Sequence, residues 1–305
     1  MIGATLAALA ALAAGVRAGY PYFVERRAAR LRALGDDGVV LGAAPITLHR
    51  TGAPAALLLH GGGDTPQALA GLARALHDHG YSVRAPLMRG HGRALSALTA
   101  ASAAAWYDDA LAELSGLRRD HPWVAVVGLS MGGAIAARLA ADAGDPAALV
   151  LLAPYLDMPH RIQRIARAAP YWRWLLPYFP SGGEESIRDP EAAKKGLGAG
   201  ILTPAALRAF YETMRAGAAS LPRVHAPTLM VQSREDNRIA VESAERAFAA
   251  IAAEEKKLVW LEGTGHVITV DFGHERLFAL VTDWLDAHGG VSSREPAPPG
   301  SRRTP

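Results

Sequence analysis

Residues 124–143 read VAVVGLSMGGAIAARLAADA, and this stretch decides the predicted fold. An apolar run, Val124 to Val127, precedes the pentapeptide Gly128-Leu129-Ser130-Met131-Gly132, and a helical pattern follows from Gly133 to Ala143. The predicted order is strand, sharp turn and helix. A serine at the apex of such a turn is held out of the sheet, and small residues beside it let the strand and the helix approach closely. The stretch therefore predicts a nucleophile elbow at Ser130, although G-x-S-x-G without this context is a weak signal.

A glycine-rich loop follows the predicted strand Ala55 to Leu59. The loop reads His60-Gly61-Gly62-Gly63-Asp64 and precedes a helical stretch, Pro66 to His79. Glycines leave backbone N–H groups able to face a pocket. Paired with the N–H of Met131, the N–H of Gly62 is expected to hold an oxygen that becomes negatively charged when a carbonyl is attacked. The alternative is a tight turn that needs glycine only for its backbone angles.

An acid and a base for the serine follow two later strands. A serine hydroxyl needs a base within hydrogen-bond reach and an acid that orients the base. Asp236 follows the apolar strand Pro227 to Val231, and His266 follows the strand Lys257 to Leu261. The order along the chain is Ser, Asp, His, which is the order of α/β-hydrolases and differs from two other serine-protease orders.

Other carboxylates and histidines lie near these motifs. Glu235 adjoins the favoured aspartate and is an alternative acid. Asp157 is a second alternative, because it follows the strand Ala148 to Leu152 at a place that some α/β-hydrolases use. We expect His60 to form hydrogen bonds within the glycine loop and His91 to lie in a loop near the pocket.

Taken together, these motifs resemble the α/β-hydrolase superfamily, and residues 55–285 look most like bacterial carboxylesterases and monoacylglycerol-lipase-like enzymes. The strings that carry the resemblance are LLLHG at 57–61, GHG at 90–92, VGLSMGG at 127–133 and EGTGHVITVD at 262–271. The resemblance implies an α/β-hydrolase fold and ester hydrolysis without a cofactor. It also implies roles for five residues: Ser130 as nucleophile, Asp236 as acid, His266 as base, and Gly62 and Met131 as oxyanion donors.

The chain departs from this family pattern at one place. Many of these esterases carry an aromatic residue directly after the His-Gly pair, whereas this chain has Gly62. Its triple glycine is similar to that of hormone-sensitive-lipase-like esterases, but their elbow reads G-D-S-A-G and this one does not.

Two other functions stay open: a non-catalytic receptor for a small ligand on the same fold, and an acyltransferase that uses an alcohol in place of water.

Composition narrows the possible chemistry. The chain has 305 residues, of which 50% are apolar, so one α/β domain with an insertion can bury a large core. Cysteine is absent, which excludes disulfides, thiolate metal sites and cysteine nucleophiles. The net charge of +3 is small and its excess lies in the two flanks, so we expect no nucleic-acid partner. The family resemblance implies a small ester or lipid as substrate. We expect no metal site.

Strands alternate with helices along most of the chain, which predicts a mostly parallel central sheet flanked by helices. The predicted strands are Gly38–Leu41, Pro45–His49, Ala55–Leu59, Ser82–Ala85, Val124–Val127 and three near 148, 227 and 257, and the later helices are 106–117, 133–143, 242–252 and 275–287. Ligands of such sheets bind beyond the carboxyl ends of the strands. The candidate site residues all follow strands and would gather at that edge.

Residues 157–222 interrupt this alternation and predict a small helical cap over the site. The cap contains an apolar cluster between positions 171 and 179. Within it we expect Trp172, Trp174, Leu175 and Tyr178 to bind the substrate; the alternative is that the cluster packs the cap onto the sheet. The arginines at 161, 164 and 167 form a stripe on a predicted helix, which is either solvated or rests on an anionic membrane.

The two ends of the chain differ from the domain at 35–288. Residues 1–34 are predicted as a hydrophobic anchor followed by a basic linker, because Ile2 to Val16 is uncharged and arginines follow it. The positive-inside rule then favours a membrane-associated protein with a cytoplasmic catalytic domain. The alternatives are a cleaved signal, which gives a secreted or periplasmic protein, and a surface-lying amphipathic helix. Residues 289–305 are predicted to be disordered.

Overall fold

A seven-stranded sheet forms the centre of the computed structural model, which describes residues 2–181, 186–289 and 291. The strands are β1 (Ile46–Leu48), β2 (Ala55–Leu59), β3 (Ser82–Ala85), β4 (Val124–Leu129), β5 (Ala148–Leu152), β6 (Phe179–Pro180), β7 (Ile201–Leu202), β8 (Thr228–Ser233) and β9 (Lys256–Leu261). The order in the sheet is β1-β3-β2-β4-β5-β8-β9, and only β1 is antiparallel to its neighbour. β6 and β7 form a separate antiparallel pair.

Helices cover both faces of this sheet. The α-helices of the described residues are α1 (Ile2–Leu31), α2 (Ala70–His79), α3 (Ala103–Asp120), α4 (Met131–Asp142), α5 (His160–Trp172), α6 (Pro190–Lys195), α7 (Pro204–Ser220), α8 (Val241–Ala250) and α9 (His274–Ala287), and several of them pack on the sheet. Alternate residues of β2 enter different cores: Leu57 packs with α3 and α4, whereas Leu58 packs with α2 and α9. Every residue of β2, β4 and β5 is buried, as expected of parallel strands with both faces covered. The predicted sheet with flanking helices is confirmed.

Two local predictions need correction. Gly38–Leu41 is not a strand: Gly38 has φ +71°, the chain turns, and a single bridge joins Leu34 to Val40. Val39 and Val40 are buried against Leu87 and Leu197 within a loop, so their burial produced the strand-like pattern. The predicted helix from Pro66 to His79 is a 3-10 turn, Pro66–Leu69, followed by α2.

The stretch between β5 and β8 contains α5, α6, α7 and the β6-β7 pair. α5 packs on α7, and α7 packs on α4. The approach of α7 to α4 is close, because a Cβ at Gly217 would lie 2.6 Å from the carbonyl oxygen of Ala134. That the stretch acts as a cap remains a proposal; four of its residues, 182–185, lie outside the described residues.

The N-terminal region is one helix, α1, up to Leu31, where the sequence predicted an anchor and then a linker. Its later part lies on the domain, since Val24 and Ala28 are buried in a cluster with Leu95 and Tyr178. Among the described residues, no helix is both long and apolar enough to pass through a membrane. Of the predicted disordered tail, 289–305, only positions 289 and 291 are among the described residues.

The α4–α7 contact predicts a stability difference between two glycine substitutions. Gly217→Ala should destabilise the protein by about 1–3 kcal/mol, because the added methyl group overlaps the backbone of α4. Gly116→Ala in α3 is the control: its nearest neighbour is a guanidinium nitrogen of Arg119 at 3.7 Å, and we expect a gain of about 1 kcal/mol from helix propensity. Urea unfolding midpoints measure both, and equal midpoints would contradict the close approach.

Candidate active site

The backbone at Ser130 is held in an uncommon conformation between β4 and α4. Its φ is +53° and its ψ is −115°, which for a residue with a side chain costs on the order of 1–3 kcal/mol. Glycines make the turn possible, because a Cβ at Gly132 would overlap the carbonyl oxygen of Leu59. Hydrogen bonds then fix it: the Ser130 N–H donates to the Leu152 carbonyl at 2.9 Å, and the Ser130 carbonyl accepts from the Tyr155 N–H at 2.9 Å.

The structure brings together the three side chains predicted as nucleophile, base and acid. His266 Nε2 lies 2.8 Å from Ser130 Oγ, and His266 Nδ1 lies 2.7 Å from Asp236 Oδ2. Ser130 is 9% exposed and His266 is 6% exposed. Because both side chains are buried, their hydrogen bonds lie in a medium of low dielectric constant, where charge interactions are strong. The arrangement can remove a proton from the serine and stabilise the resulting imidazolium.

Asp236 is held by several donors besides the imidazole. Oδ2 also accepts from Gln232 Nε2 at 2.7 Å, and Oδ1 accepts the N–H groups of Arg238 and Ile239 at 2.7 and 3.0 Å. Burial on its own would raise the pKa of Asp236, but the hydrogen bond from His266 and these backbone donors hold that pKa below its usual value. The carboxylate therefore stays ionised and faces the base.

The two rival carboxylates are engaged elsewhere. Glu235 forms an ion pair with Arg188. Asp157 accepts hydrogen bonds from Ser243 Oγ at 2.6 Å and Arg246 at 3.2 Å. The structure therefore places Asp236, and neither alternative, in contact with His266.

The glycine loop lies directly beside the serine. A Cβ at Gly61 would lie 3.4 Å from Ser130 Cβ and 3.9 Å from Ser130 Oγ. His60 fixes this loop, because its Nε2 accepts the Met88 N–H at 3.1 Å, so Nδ1 must carry the proton that binds the Gly61 carbonyl at 2.8 Å. That carbonyl belongs to the same planar peptide as the Gly62 N–H. His60 thus orients the predicted oxyanion donor.

Burial keeps His60 uncharged. It lowers the pKa of His60 to about 3, with a smaller contribution from the neighbouring His91. Burial likewise lowers the pKa of His91 to about 4. The two rings are 5.1 Å apart, and Trp106 and Phe210 continue the row of rings at centroid distances of 5.3 and 5.2 Å. At neutral pH, His60 is therefore a neutral ring with a fixed donor.

Phe210 is a residue of this site that sequence reasoning missed. It lies on α7 and its ring occupies the space that a side chain at Gly62 would take. The aromatic group absent after the His-Gly pair is thus supplied from the insertion between β5 and β8. Tyr155, which was also missed, has its ring edge-on to His266 at 6.5 Å. Nothing in the local pattern marks either residue, since both depend on contacts between distant segments.

The four residues predicted to bind substrate lie in three different environments. Trp172 is half-buried beside a cluster that includes Met158 and Tyr211. Trp174 and Leu175 are exposed. Tyr178 is buried against α1, and its hydroxyl donates to Glu25 at 2.6 Å.

Residues just after position 185, within the insertion, form hydrogen bonds with the loop that carries His266. The Ser186 carbonyl accepts the N–H groups of His266 and Val267 at 2.9 and 3.1 Å. The buried Asp271 accepts the N–H groups of Arg188, Asp189, Gly265 and Phe272 at 2.7–2.9 Å. The insertion therefore helps to position His266.

In the described part of the chain, no group of three or more His, Asp or Glu side chains is arranged to hold a metal ion.

Comparison with known proteins agrees with this geometry. The chain matches the family described as serine aminopeptidase, S33, over residues 53–272. It is 25% identical over 237 residues to a carboxylesterase of Bacillus subtilis (strain 168), covering 77% of this chain and 93% of the relative. It is 27% identical over 252 residues to a thermostable monoacylglycerol lipase of Bacillus sp. (strain H-257), covering 83% and 98%.

Solved structures give the same fold. One, from work on two metagenome-derived lipolytic enzymes, has a TM-score of 0.74 and 27% identity, and the match covers 81% of this chain and 98% of that one. A monoacylglycerol lipase of Paleococcus ferrophilus has a TM-score of 0.67 at 21% identity, with 80% and 98% covered. The predicted α/β-hydrolase fold is confirmed.

The role of His60 predicts different results for two substitutions. His60→Asn keeps an amide donor near the position of Nδ1, whereas His60→Gln places its amide near Nε2 and leaves the Gly61 carbonyl without a donor. We expect His60→Gln to lower kcat on p-nitrophenyl acetate by about 10²-fold, close to the loss of one oxyanion donor, with KM little changed. His60→Asn should lose about ten-fold less. Rates are divided by the concentration of titrated active sites, so misfolded protein does not count; equal losses would rule out an orienting role.

Proposed function

Because the chain belongs to the serine aminopeptidase S33 family, we propose that it hydrolyses carboxylic esters by two-step acyl transfer through Ser130. The observation that carries the proposal is the pair of contacts at 2.8 and 2.7 Å that link Ser130, His266 and Asp236. This spacing suits proton transfer from a serine to a histidine that a carboxylate orients. The relatives named carboxylesterase and monoacylglycerol lipase support the ester as the substrate class.

In the first step His266 Nε2 removes the hydroxyl proton of Ser130, and Oγ attacks the ester carbonyl. The carbonyl oxygen becomes an oxyanion, for which we propose the backbone N–H groups of Gly62 and Met131 as donors. His266 then gives its proton to the leaving alcohol, and the acyl group stays on Ser130.

In the second step a water molecule takes the place of the alcohol. His266 accepts a proton from the water, the hydroxide attacks the acyl-enzyme, and the proton returns to Ser130 Oγ as the carboxylic acid leaves. Asp236 keeps the imidazole in the tautomer that exposes Nε2 and stabilises the imidazolium without taking its proton. No cofactor takes part in this scheme.

For the substrate we propose a small ester or a single-chain lipid such as a monoacylglycerol. The ring of Phe210 against Gly62 limits the space beside the proposed oxyanion donors. Of the residues predicted to bind substrate, we retain Trp172, because it packs in the apolar cluster between α5 and α7. Tyr178 instead joins this region to α1, and Trp174 and Leu175 face solvent.

Three other functions are compatible with the fold: a receptor, an acyltransferase and a peptidase. A receptor without turnover has no need of a serine hydrogen-bonded to a histidine. An acyltransferase would use the same acyl-enzyme with an alcohol in place of water. Peptide cleavage by an aminopeptidase needs an anionic group for the substrate ammonium, and the neighbouring Glu235 and Asp157 already hold arginines.

The location of the protein is a further part of the proposal. We propose α1 as a membrane-associating segment, since Ile2 to Val16 carries no charge. Five arginines follow, at positions 17, 26, 27, 30 and 32, and suit the anionic surface of the cytoplasmic leaflet, which favours a cytoplasmic domain. A secreted or periplasmic protein is the alternative.

Removal of the nucleophile and of the acid should give different losses. We expect Ser130→Ala to lower kcat/KM on p-nitrophenyl butyrate by about 10⁶-fold and to abolish labelling by a fluorophosphonate probe. Asp236→Asn should cost about 10⁴-fold, because the imidazole then favours the wrong tautomer. Glu235→Gln is the matched control and should keep the rate, since its carboxylate pairs only with groups outside the triad. Wild-type labelling of Ser130→Ala would sink the proposal.

Phe210 should set the acyl length. Phe210→Ala opens space beside Gly62, so the ratio of kcat/KM for p-nitrophenyl octanoate over acetate should rise about ten-fold. Phe248→Ala removes another half-buried phenylalanine, on α8, and should leave this ratio unchanged. An unchanged ratio in both variants would place the acyl chain elsewhere.

A further inference from the structure

The turn after α5, together with part of α5 itself, exposes apolar side chains to solvent. We call this surface the cap face and define it by the exposed residues Ile162, Ile165, Tyr171, Trp174, Leu175 and Leu176 together with Arg161, Arg164, Arg167 and Arg173. Tyr171 is 82% exposed, Trp174 63% and Leu175 64%. Large exposed apolar groups that lie close together mark an interaction surface rather than chance exposure.

The same surface is strongly basic. From Met158 to Ser181 the sequence contains no aspartate or glutamate. In the described part of the chain, none of the four arginine side chains of the cap face forms an ion pair. Their charges are therefore available to a partner from outside the chain.

The indole N–H groups of Trp174, on the cap face, and of its half-buried neighbour Trp172 have hydrogen-bond partners close by. Trp174 Nε1 donates to the Tyr171 carbonyl at 2.9 Å, and Trp172 Nε1 donates to the Ile165 carbonyl at 3.2 Å. The indole of Trp174 can therefore enter an apolar medium without losing a hydrogen bond. Tryptophan and tyrosine with this amphipathic character concentrate at membrane–water interfaces.

We propose that the cap face docks on the surface of an anionic phospholipid bilayer. Arginines beside exposed aromatic and aliphatic side chains on a helix are the features of interfacial membrane segments, in which the charges meet anionic headgroups and the apolar groups enter the acyl boundary. A second copy of the chain fits less well, because face-to-face pairing would bring two sets of four arginines together. A neutral apolar partner would leave these charges unused.

The N-terminal helix is attached beside the cap face. Tyr178 follows Leu176 by two residues, and its carbonyl accepts a hydrogen bond from the Tyr20 hydroxyl at 2.9 Å. On α1, Tyr22 and Phe23 are 65% and 67% exposed. α1 and the cap face can therefore meet one bilayer together. Phe210, on α7 of the same insertion, lies against the glycine loop beside Ser130. Docking of the cap face would therefore bring the lipid surface close to the site.

The absence of cysteine allows a site-specific test on the full chain. A nitroxide is attached to Leu175→Cys, and its collision rates with oxygen and with a water-soluble nickel complex report its depth. The matched control is Leu41→Cys, which is also exposed and lies outside the cap face. Vesicles are either pure phosphatidylcholine or an equal mixture of phosphatidylcholine and phosphatidylglycerol. Because the label reports its own depth, attachment through α1 alone does not imitate docking, and the result is independent of ester hydrolysis.

We expect the label at position 175 to enter the acyl region of phosphatidylglycerol vesicles while the label at position 41 stays in water. Arg161→Gln with Arg164→Gln should weaken vesicle insertion of this label about 20-fold, and Arg74→Gln with Arg119→Gln, which removes the same charge from α2 and α3, should not. A label at 175 that stays in water on anionic vesicles overturns the proposal. Equal insertion into neutral vesicles overturns its anionic part, and spin–spin broadening without lipid would assign the face to a second copy.

Discussion

The close backbone approach at the elbow is the constraint on which the rest of the site depends. A Cβ at Gly128 or at Gly132 would overlap a neighbouring carbonyl oxygen. Because glycine has no Cβ, α4 can begin directly against β2 and β4. The same approach forces Ser130 to a positive φ and holds Oγ beside Gly61. Four hydrogen bonds at the Ser130 backbone offset the strain, including those from Gly133 and Ala134. Ser130 and the glycine loop are thus positioned by one packing contact.

Two buried polar arrangements complete the site from opposite sides. On one side, burial keeps His60 neutral, and the Met88 N–H donated to Nε2 leaves the ring proton on Nδ1, which faces the Gly61 carbonyl. On the other, Asp271 and the Ser186 carbonyl tie the insertion to the loop of His266. The groups named here are hydrogen-bonded, which fixes the positions of the two loops. The insertion therefore has a structural role in addition to any role in substrate choice.

The insertion has two sides with different chemistry. Its inner side packs Met158, Leu207 and Tyr211 together and sends Phe210 to the glycine loop. Its outer side exposes the arginines and aromatic residues of the cap face. In the sequence the outer set, at 161–176, forms an apolar and basic stretch that fits two interpretations, a pocket lining or a surface. Only the packing of α5 on α7 separates them.

By itself the sequence determined the parallel sheet and predicted the serine, the histidine and the leading acid of the site, because alternating apolar runs and their terminal motifs are local patterns. It misread Gly38–Leu41, where burial in a loop imitates a strand. The structure decided between Asp236 and its rivals, supplied Phe210 beside Gly62 and turned Tyr178 toward α1. These outcomes depend on distances between segments far apart in the chain, which the sequence pattern of no single segment contains.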